Sequence, residues 1–174
     1  MRYRQAVEET EGVFLSYNKK PIIAMYDCCC GGIIPAHMHG AAARFSATPY
    51  LARSYPCTFC KQAKAFRWRV AYRLEEIQRV LYKQGILSQP HIKSIKVATH
   101  DDAGLVRTIL IKLRHASKTI EGKVLYYLFK KIKSFCFTIT QAKQQVIIEG
   151  RGFGHHLGLC QWGSHYMVMQ GWLH

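Results

Sequence analysis

The sequence predicts a strand-rich α+β fold that forms a single domain with two or three short helices. Three observations support this prediction. The chain has 174 residues, of which 49% are hydrophobic and 20% are charged, and this size and composition suit one hydrophobic core. Segments in which apolar and polar residues alternate outnumber segments with helical periodicity. No internal repeat and no low-complexity linker divides the chain, so residues 1–174 are treated as one unit.

Segments in which apolar and polar residues alternate indicate where the strands lie. Residues 12–26 read as two strands joined at Asn18-Lys19-Lys20, where Asn tolerates the turn. Residues 92–99 and 105–113 flank a turn-rich stretch and predict a hairpin. Further strands are predicted over residues 66–72, 135–140 and 146–149. These strands make up most of the regular structure that we expect.

Two segments have the periodicity of amphipathic helices. The first spans residues 74–84, with Leu74, Ile77 and Leu81 on one stripe and Gly85 at the position of a C-terminal cap. The second spans residues 121–132, and its apolar face consists of Val124, Leu125, Leu128 and Ile132. Residues 31–56 have neither period, so we expect an irregular loop that can carry function.

The chain is strongly basic, with 25 Lys and Arg against 10 Asp and Glu and a formal net charge of +15. Such a charge suits a polyanionic partner, and nucleic acid is the first to consider. Because the basic residues are scattered, an acidic glycan wall or a membrane surface fits equally well. No run approaches the roughly 18 apolar residues that a membrane-spanning helix needs, and no signal peptide is recognisable at the N-terminus.

Seven cysteines favour a metal site over a disulfide framework, because an odd number cannot all pair within one chain. Cys57 and Cys60 have the two-residue spacing with which two thiolates hold one ion, and zinc is the expected metal. Cys30 is the favoured third ligand, because Gly31 and Gly32 give the backbone the freedom to turn its thiolate towards a partner.

The fourth ligand stays open between Cys28, His37 and His39. Cys28 shares one side of an extended strand with Cys30, whereas Cys29 is expected to point the other way. The alternative is that the CxxC motif is a redox pair or two inert thiols. The remaining cysteines, Cys136 and Cys160, are expected to pack as small hydrophobic side chains.

The most distinctive segment covers residues 150–167 and reads GRGFGHHLGLCQWGSHYM. Five of its first fourteen residues are glycine, which indicates a strand-to-helix turn whose backbone approaches another group closely. A nucleotide site is a weak prediction, because the Lys-Ser or Lys-Thr of a P-loop and the βαβ context of a dinucleotide fingerprint are both missing. His155, Gln161 and Trp162 instead predict a polar group with one aromatic wall, which suits a sugar ring.

This string closely resembles the signature GxGxGHGxGxxQWGAxxM of the stage II sporulation protein D family, also called the amidase-enhancer domain. The resemblance continues in order through residues 6–13, Cys30-Gly31-Gly32, Pro49-Tyr50-Leu51, the CxxC motif and Trp68-Arg69, and so covers nearly the whole chain. His156 departs from the signature at a position that is usually Gly, where a positive φ would crowd a larger residue.

The resemblance implies a protein of the bacterial cell envelope that acts on peptidoglycan. Members of the family are lytic transglycosylases that cleave glycan strands, or enhancers of a partner cell-wall amidase, and some of them bind zinc. The implied partners are therefore glycan strands and an amidase, with no nucleic acid and no membrane span in this chain. The substrate-cleft residues that we carry over are His155, Gln161, Trp162, Gly154 and Gly158.

The chain departs from the family in its carboxylates. The catalytic Glu of the family lies upstream of the matching region, and the terminal helix of the family lies beyond it, so we expect a truncated domain that keeps the cleft without its acid. Glu149, the carboxylate nearest to the glycine-rich segment, is expected to be a surface charge at a strand end. Whether the chain is an active enzyme stays open. The alternative function is a small basic zinc-containing module that binds nucleic acid.

Overall fold

A computed structural model of the protein describes residues 2–89 and 91–172 and has the strand-rich α+β architecture that the sequence predicts. The helices are α1 (Arg2–Glu9), α2 (Ala41–Arg44), α3 (Leu74–Lys83), α4 (Lys123–Leu128) and α5 (Gln161–Met169). The strands are β1 (Ser16–Tyr17), β2 (Lys20–Pro21), β3 (Tyr26–Asp27), β4 (Arg67–Arg73), β5 (Ile92–His100), β6 (Val106–Leu113), β7 (Ser117–Glu121), β8 (Phe137–Ala142), β9 (Gln145–Arg151) and β10 (Leu159–Cys160). Single 3-10 turns cover Pro35–His37, Pro49–Leu51 and Phe59–Gln62.

Two antiparallel sheets, with strand orders β4-β9-β8 and β5-β6-β7, form the body of the fold. The β5–β6 pair confirms the predicted hairpin. The strands predicted over residues 135–140 and 146–149 also pair with each other, as β8 and β9. Gln141 of β8 joins the sheets. Its side chain accepts the N–H of Ile95 at 2.9 Å and donates to the carbonyl of Lys93 at 3.1 Å, so β8 is held beside β5.

The main hydrophobic core lies between these sheets and helices α3 and α4. Ile77 and Leu81 of α3, Ile109 of β6, Leu125 of α4 and Ile148 of β9 are almost completely buried. Burial of a side chain of this size contributes about 1.5–3 kcal/mol relative to its exposure to water. The predicted stripe on α3 therefore faces the core, as its period requires.

Two segments that are far apart in sequence meet beside this core. Strands β3 and β10 pair in parallel, with Tyr26 opposite Leu159 and Asp27 opposite Cys160. Next to this ladder, Cys29 and the residue Phe153 form an isolated antiparallel bridge. These pairings bring the run of cysteines and the glycine-rich segment together.

Several local predictions need correction. The second predicted helix is shorter than residues 121–132, because Glu121 ends β7 and Phe129 turns to an extended conformation with φ −117° and ψ 92°. Strand β7 was not predicted because Ile120 is its one buried residue, so its sequence does not alternate. Helix α1 was missed because the side chains of residues 3–9 are all exposed and show no buried stripe. Within the described ranges, no helix combines the length and apolar character needed to cross a bilayer.

Candidate functional site

Four cysteine thiols cluster where the two distant segments meet. The Sγ atoms of Cys30, Cys57, Cys60 and Cys160 all lie within 4.8 Å of one another. Those of Cys30 and Cys60 are 3.7 Å apart. Cys57 is half-buried and the other three side chains are buried, so the group can hold a metal ion that is largely shielded from solvent.

Local backbone structure places each of these thiols. The turn at Phe59–Gln62 carries Cys60 back towards Cys57, whose carbonyl lies 3.9 Å from Cys60 Sγ. Cys30 follows β3, and Cys160 ends β10 and caps the N-terminus of α5. The parallel pairing of β3 and β10 therefore sets Cys30 and Cys160 side by side, although 130 positions separate them in the chain.

Cys160 is the most readily ionised thiol of the group. Its Sγ accepts the backbone N–H groups of Cys30 and Gly163, both at 3.3 Å, and it lies at a helix N-terminus, where the helix dipole favours an anion. Hydrogen bonds from the neighbouring thiols, that of Cys29 first, hold the pKa of Cys160 well below its usual range. Cys29, which was expected to point the other way, packs in the same buried cluster as these thiols but lies outside the group of four. Contact with Cys160 in turn raises the pKa of Cys30 and of Cys60.

The positions of the thiols leave no room for a side chain at Gly163. A Cβ atom at this position would lie 2.9 Å from Cys57 Sγ and 3.2 Å from Cys160 Sγ, too close for either sulfur to keep its place. The glycine of the QWG triplet therefore lets the first turn of α5 approach the thiols. A glycine three residues after Cys160 was a sequence signal for this approach, and sequence reasoning missed it.

The structure unites the three favoured ligands with a fourth that was expected only to pack. Among the residues that the structure describes, Cys160 completes the group of four, and the candidates Cys28, His37 and His39 lie outside it. The backbone of Cys28 has another role, because its carbonyl accepts the N–H of Trp162 at 3.1 Å. Local spacing could not reveal Cys160, since only the β3–β10 pairing brings it close.

Beside the thiols, the glycine-rich turn wraps around a buried carboxyl group. Asp27 is 3% exposed, and its Oδ1 accepts the backbone N–H of His155 at 2.7 Å. A Cβ atom on Gly154, whose φ is +129°, would overlap this oxygen, so only glycine allows the approach. Burial raises the pKa of Asp27 to about 7, although hydrogen bonds from backbone N–H groups, that of His155 first, oppose the shift. Sequence reasoning gave Asp27 no role, because nothing local indicates its burial.

His155 stands between this carboxyl group and a cationic cleft. Its Nδ1 lies 3.4 Å from Asp27 Oδ1 and accepts the N–H of Leu157 at 3.2 Å, and its side chain is 40% exposed. Burial, together with the charge of Arg44, lowers the pKa of His155, so the ring is neutral at pH 7. The cleft has a volume of about 440 Å³, and its polar lining is His39, Arg44, Asp101, Arg107, Glu121, Lys123, Tyr127 and His155.

His156 links the turn to the metal-binding segment. Its φ is +68°, so this position does have the left-handed backbone that would crowd a residue larger than glycine. The ring is buried, with Nδ1 2.9 Å from the carbonyl oxygen of Cys30. Burial lowers the pKa of His156 to about 4. The hydrogen bond of the neutral ring offsets part of the backbone strain.

The residues predicted to line one substrate cleft have different surroundings. His155 faces the cationic cleft, whereas Gly158 and Gln161 line a separate, largely apolar groove. Trp162 packs against the thiols, and Gly154 covers the buried carboxyl group. The structure thus does not unite His155, Gln161 and Trp162 in one pocket, because β10 runs between the turn and α5.

Several known proteins are similar to this chain. Two of them are named stage II sporulation protein D: that of Bacillus subtilis is 26% identical over 95% of this chain and 45% of its own length, and that of Bacillus amyloliquefaciens is 27% identical over 95% and 45%. An uncharacterized protein of Brachyspira hyodysenteriae is 29% identical over 94% of this chain and 42% of its own length. The chain spans less than half the length of these curated relatives.

A family match covers the region from the first cysteine of the CxxC motif through most of the glycine-rich turn. Residues 57–158 match a domain of unknown function (DUF8618). The match includes Cys57, Cys60, Asp101, Glu121 and His155, and thus two of the four thiols and much of the cationic cleft. Because it covers more than half of the chain, the protein belongs to the family of this domain of unknown function.

Proposed function

We propose that this domain takes part in the processing of bacterial cell-wall peptidoglycan and binds glycan strands in the cationic cleft beside the glycine-rich turn. The observation that carries the proposal is the placement of His155, which the Asp27 carboxyl group holds at the cleft through its backbone N–H. The distant similarity to two proteins named stage II sporulation protein D supports it, as does the resemblance of residues 150–167 to the signature of that family.

The chemistry of the cleft suits an anionic glycan. Arg44, Arg107 and Lys123 line it. Lys123 is paired with Glu121, and the two arginines match the carboxylates that the lactyl groups of a peptide-free glycan strand carry. The exposed ring of Tyr127 offers an aromatic face for a sugar ring. Because Nδ1 of His155 accepts a hydrogen bond from the chain, the ring proton is on Nε2, from which it can be donated to a sugar oxygen.

The described part of the chain supplies groups for binding rather than for acid catalysis. Cleavage of a glycosidic bond by general acid catalysis needs a protonated carboxyl group in contact with the leaving oxygen. The Asp27 side chain is 1% exposed and cannot reach a ligand. Glu121 pairs with Lys123 at 2.6 Å, and Asp101 accepts the backbone N–H groups of His39, Ala103 and Leu105, so both carboxylates of the cleft are already engaged. We therefore propose that cleavage of the glycosidic bond depends on a carboxylic acid outside the described residues, and that a partner amidase would act on the amide bonds of peptidoglycan instead.

We propose zinc as the metal of the four-thiol group. In a tetrahedral site with zinc–sulfur bonds of about 2.3 Å, neighbouring sulfur atoms lie about 3.8 Å apart. The distance of 3.7 Å between the Sγ atoms of Cys30 and Cys60 fits this geometry. Four protein thiolates leave no open coordination position, so the role is structural. Through Cys30 and Cys160, the ion would hold together the two segments that position His155.

Co-sedimentation with insoluble, peptide-free glycan strands tests the binding proposal. The double variant R44A/R107A removes two cleft charges that form no ion pair within the described part of the chain, and K83A/K96A removes two exposed charges outside the cleft. We expect the cleft variant to bind at least about tenfold more weakly, equivalent to about 1.4 kcal/mol, and the control to bind like the wild type. Equal losses in both variants would mean that the overall charge alone drives binding. Release of anhydro-sugars by the wild-type chain at enzyme-like rates would refute a binding-only role.

A further inference from the structure

A second groove lies at one end of the β4-β9-β8 sheet and shares no lining residue with the cationic cleft. Its volume is about 520 Å³. Its charged and titratable lining residues are Arg67, Arg69, His100, Cys136, Glu149 and Arg151. The proposed glycan binding makes no use of this groove.

Two arginines of the groove lie opposite each other on neighbouring strands. Arg67 of β4 and Arg151 of β9 are partners in the antiparallel register. Like charges directly opposite each other destabilise such a pair. The neighbouring partners Arg69 and Glu149 form an ion pair at 3.6 Å, so the predicted surface carboxylate at position 149 is already engaged. In residues 2–89 and 91–172, no acidic side chain pairs with Arg67 or Arg151.

Both arginine side chains are positioned by contacts that leave their terminal Nη groups available. The Arg151 side chain is held by its Nε, which donates to Cys136 Sγ at 3.4 Å, and the backbone of Arg151 is held separately, because its carbonyl accepts the hydroxyl of Ser134 at 2.7 Å. The guanidinium group of Arg67 lies 5.9 Å from the centre of the Phe66 ring. The arginine pair is thus a positioned double cation without a counter-charge from the described chain.

We propose that Arg67 and Arg151 together bind one phosphate dianion in this groove. Guanidinium N–H groups form paired hydrogen bonds to phosphate oxygens. A phosphate carries up to two negative charges at neutral pH, which would balance the two guanidinium charges, whereas a single carboxylate balances only one. The ligand is inorganic phosphate or the terminal phosphate of a sugar.

Titration of the wild-type protein, followed by amide chemical shifts, tests this site. The probes are inorganic phosphate, N-acetylglucosamine 1-phosphate and acetate, all at one ionic strength because screening weakens surface electrostatics. We expect saturable shifts at residues 67, 104, 150 and 151 with both phosphates, and at least tenfold weaker binding of acetate. A tighter fit of the sugar phosphate would identify a sugar-borne ligand, and equal affinities would identify the phosphate group alone. Both results support the site.

The variants R67Q and R151Q should each weaken phosphate binding at least tenfold. R79Q, which removes an exposed charge from α3, is the matched control and should bind like the wild type. If R151Q does not fold because its contact with Cys136 is lost, R67Q still decides, since its side chain is exposed. Shifts that spread over the whole basic surface, equal affinity for acetate, or unchanged binding by R67Q would overturn the proposal.

Discussion

Asp27 Oδ1 accepts the backbone N–H of His155 at 2.7 Å, across 128 positions of the chain. This bond and the close approach of the Cys30 and Cys160 thiols both occur beside the parallel β3–β10 ladder. The buried carboxyl group and the metal-binding group therefore both hold the glycine-rich turn in place. The geometry of the cleft therefore depends on groups that do not themselves reach a ligand.

Removal of one thiol should identify the fourth metal ligand. We expect the wild-type protein, purified under reducing conditions, to contain close to one equivalent of zinc, and C160S to contain less than about half, since structural zinc sites bind tightly. C28S should keep its metal because Cys28 lies outside the group. C136S, which removes a buried thiol elsewhere, is the matched control. Elemental analysis decides the question, and metal retention by C160S combined with loss in C28S would make Cys28 the fourth ligand.

Substitution of Gly163 by alanine should destabilise the protein, although the same change inside a helix normally stabilises it by about 0.5–1 kcal/mol. The added Cβ would lie 2.9 Å from Cys57 Sγ, so the metal affinity should fall together with the midpoint of thermal unfolding. S164A, one position further along the same helix, serves as the control. A gain in stability with unchanged zinc content would show that the thiols do not need this glycine.

Because its pKa is raised by folding, Asp27 should lower the free energy of unfolding as the pH rises, which is the opposite of the usual effect of a carboxyl group. Its pKa is about 7 in the folded protein and 3.8 in an unfolded chain, so the folded state binds the proton more tightly. The contribution of Asp27 is fully present below about pH 4 and is lost as the pH rises to about 7. His156, with a folded pKa of about 4, acts in the opposite direction between about pH 4 and its ordinary value of 6.5, which partly masks the effect.

The variant D27N separates the two contributions, because the amide keeps an oxygen that can accept the His155 N–H. We expect the difference in the free energy of unfolding, wild type minus D27N, to decrease by about 2–3 kcal/mol between pH 5 and pH 7.5. Urea titrations at several pH values measure it, with D102N as an exposed control. A difference that stays constant with pH would mean that Asp27 is ionised throughout this range.

Truncation of Leu125 tests whether the short helix α4 is anchored in the main core. Its side chain is fully buried, so L125A should lower the free energy of unfolding by about 2–5 kcal/mol. The zinc content should not change, because Leu125 belongs to a different cluster from the thiols. K130A, an exposed truncation just after the helix, should change stability by less than about 0.5 kcal/mol. Similar losses in both variants would argue against this packing.

Local sequence patterns were sufficient for most of the strands and for helix α3. The alternation in the β5–β6 hairpin and the stripe of Leu74, Ile77 and Leu81 appear in the structure because each pattern reports which face of its own segment is buried. The same reasoning failed for β7, whose strand is specified by its pairing with β6 rather than by its own side chains.

For the metal-binding group, the CxxC spacing and the glycines after Cys30 were readable because they concern neighbours in the chain. Three features could not be inferred from the sequence: the place of Cys160 in the group, the burial of Asp27, and the pairing of Arg67 with Arg151. Each arises from pairing between strands distant in sequence, and a single sequence contains no local signal of which strands will pair. Composition and periodicity therefore predict the fold class, and local spacing predicts three of the thiols, whereas long-range strand pairing selects the fourth thiol and positions the groups around the cationic cleft and the second groove.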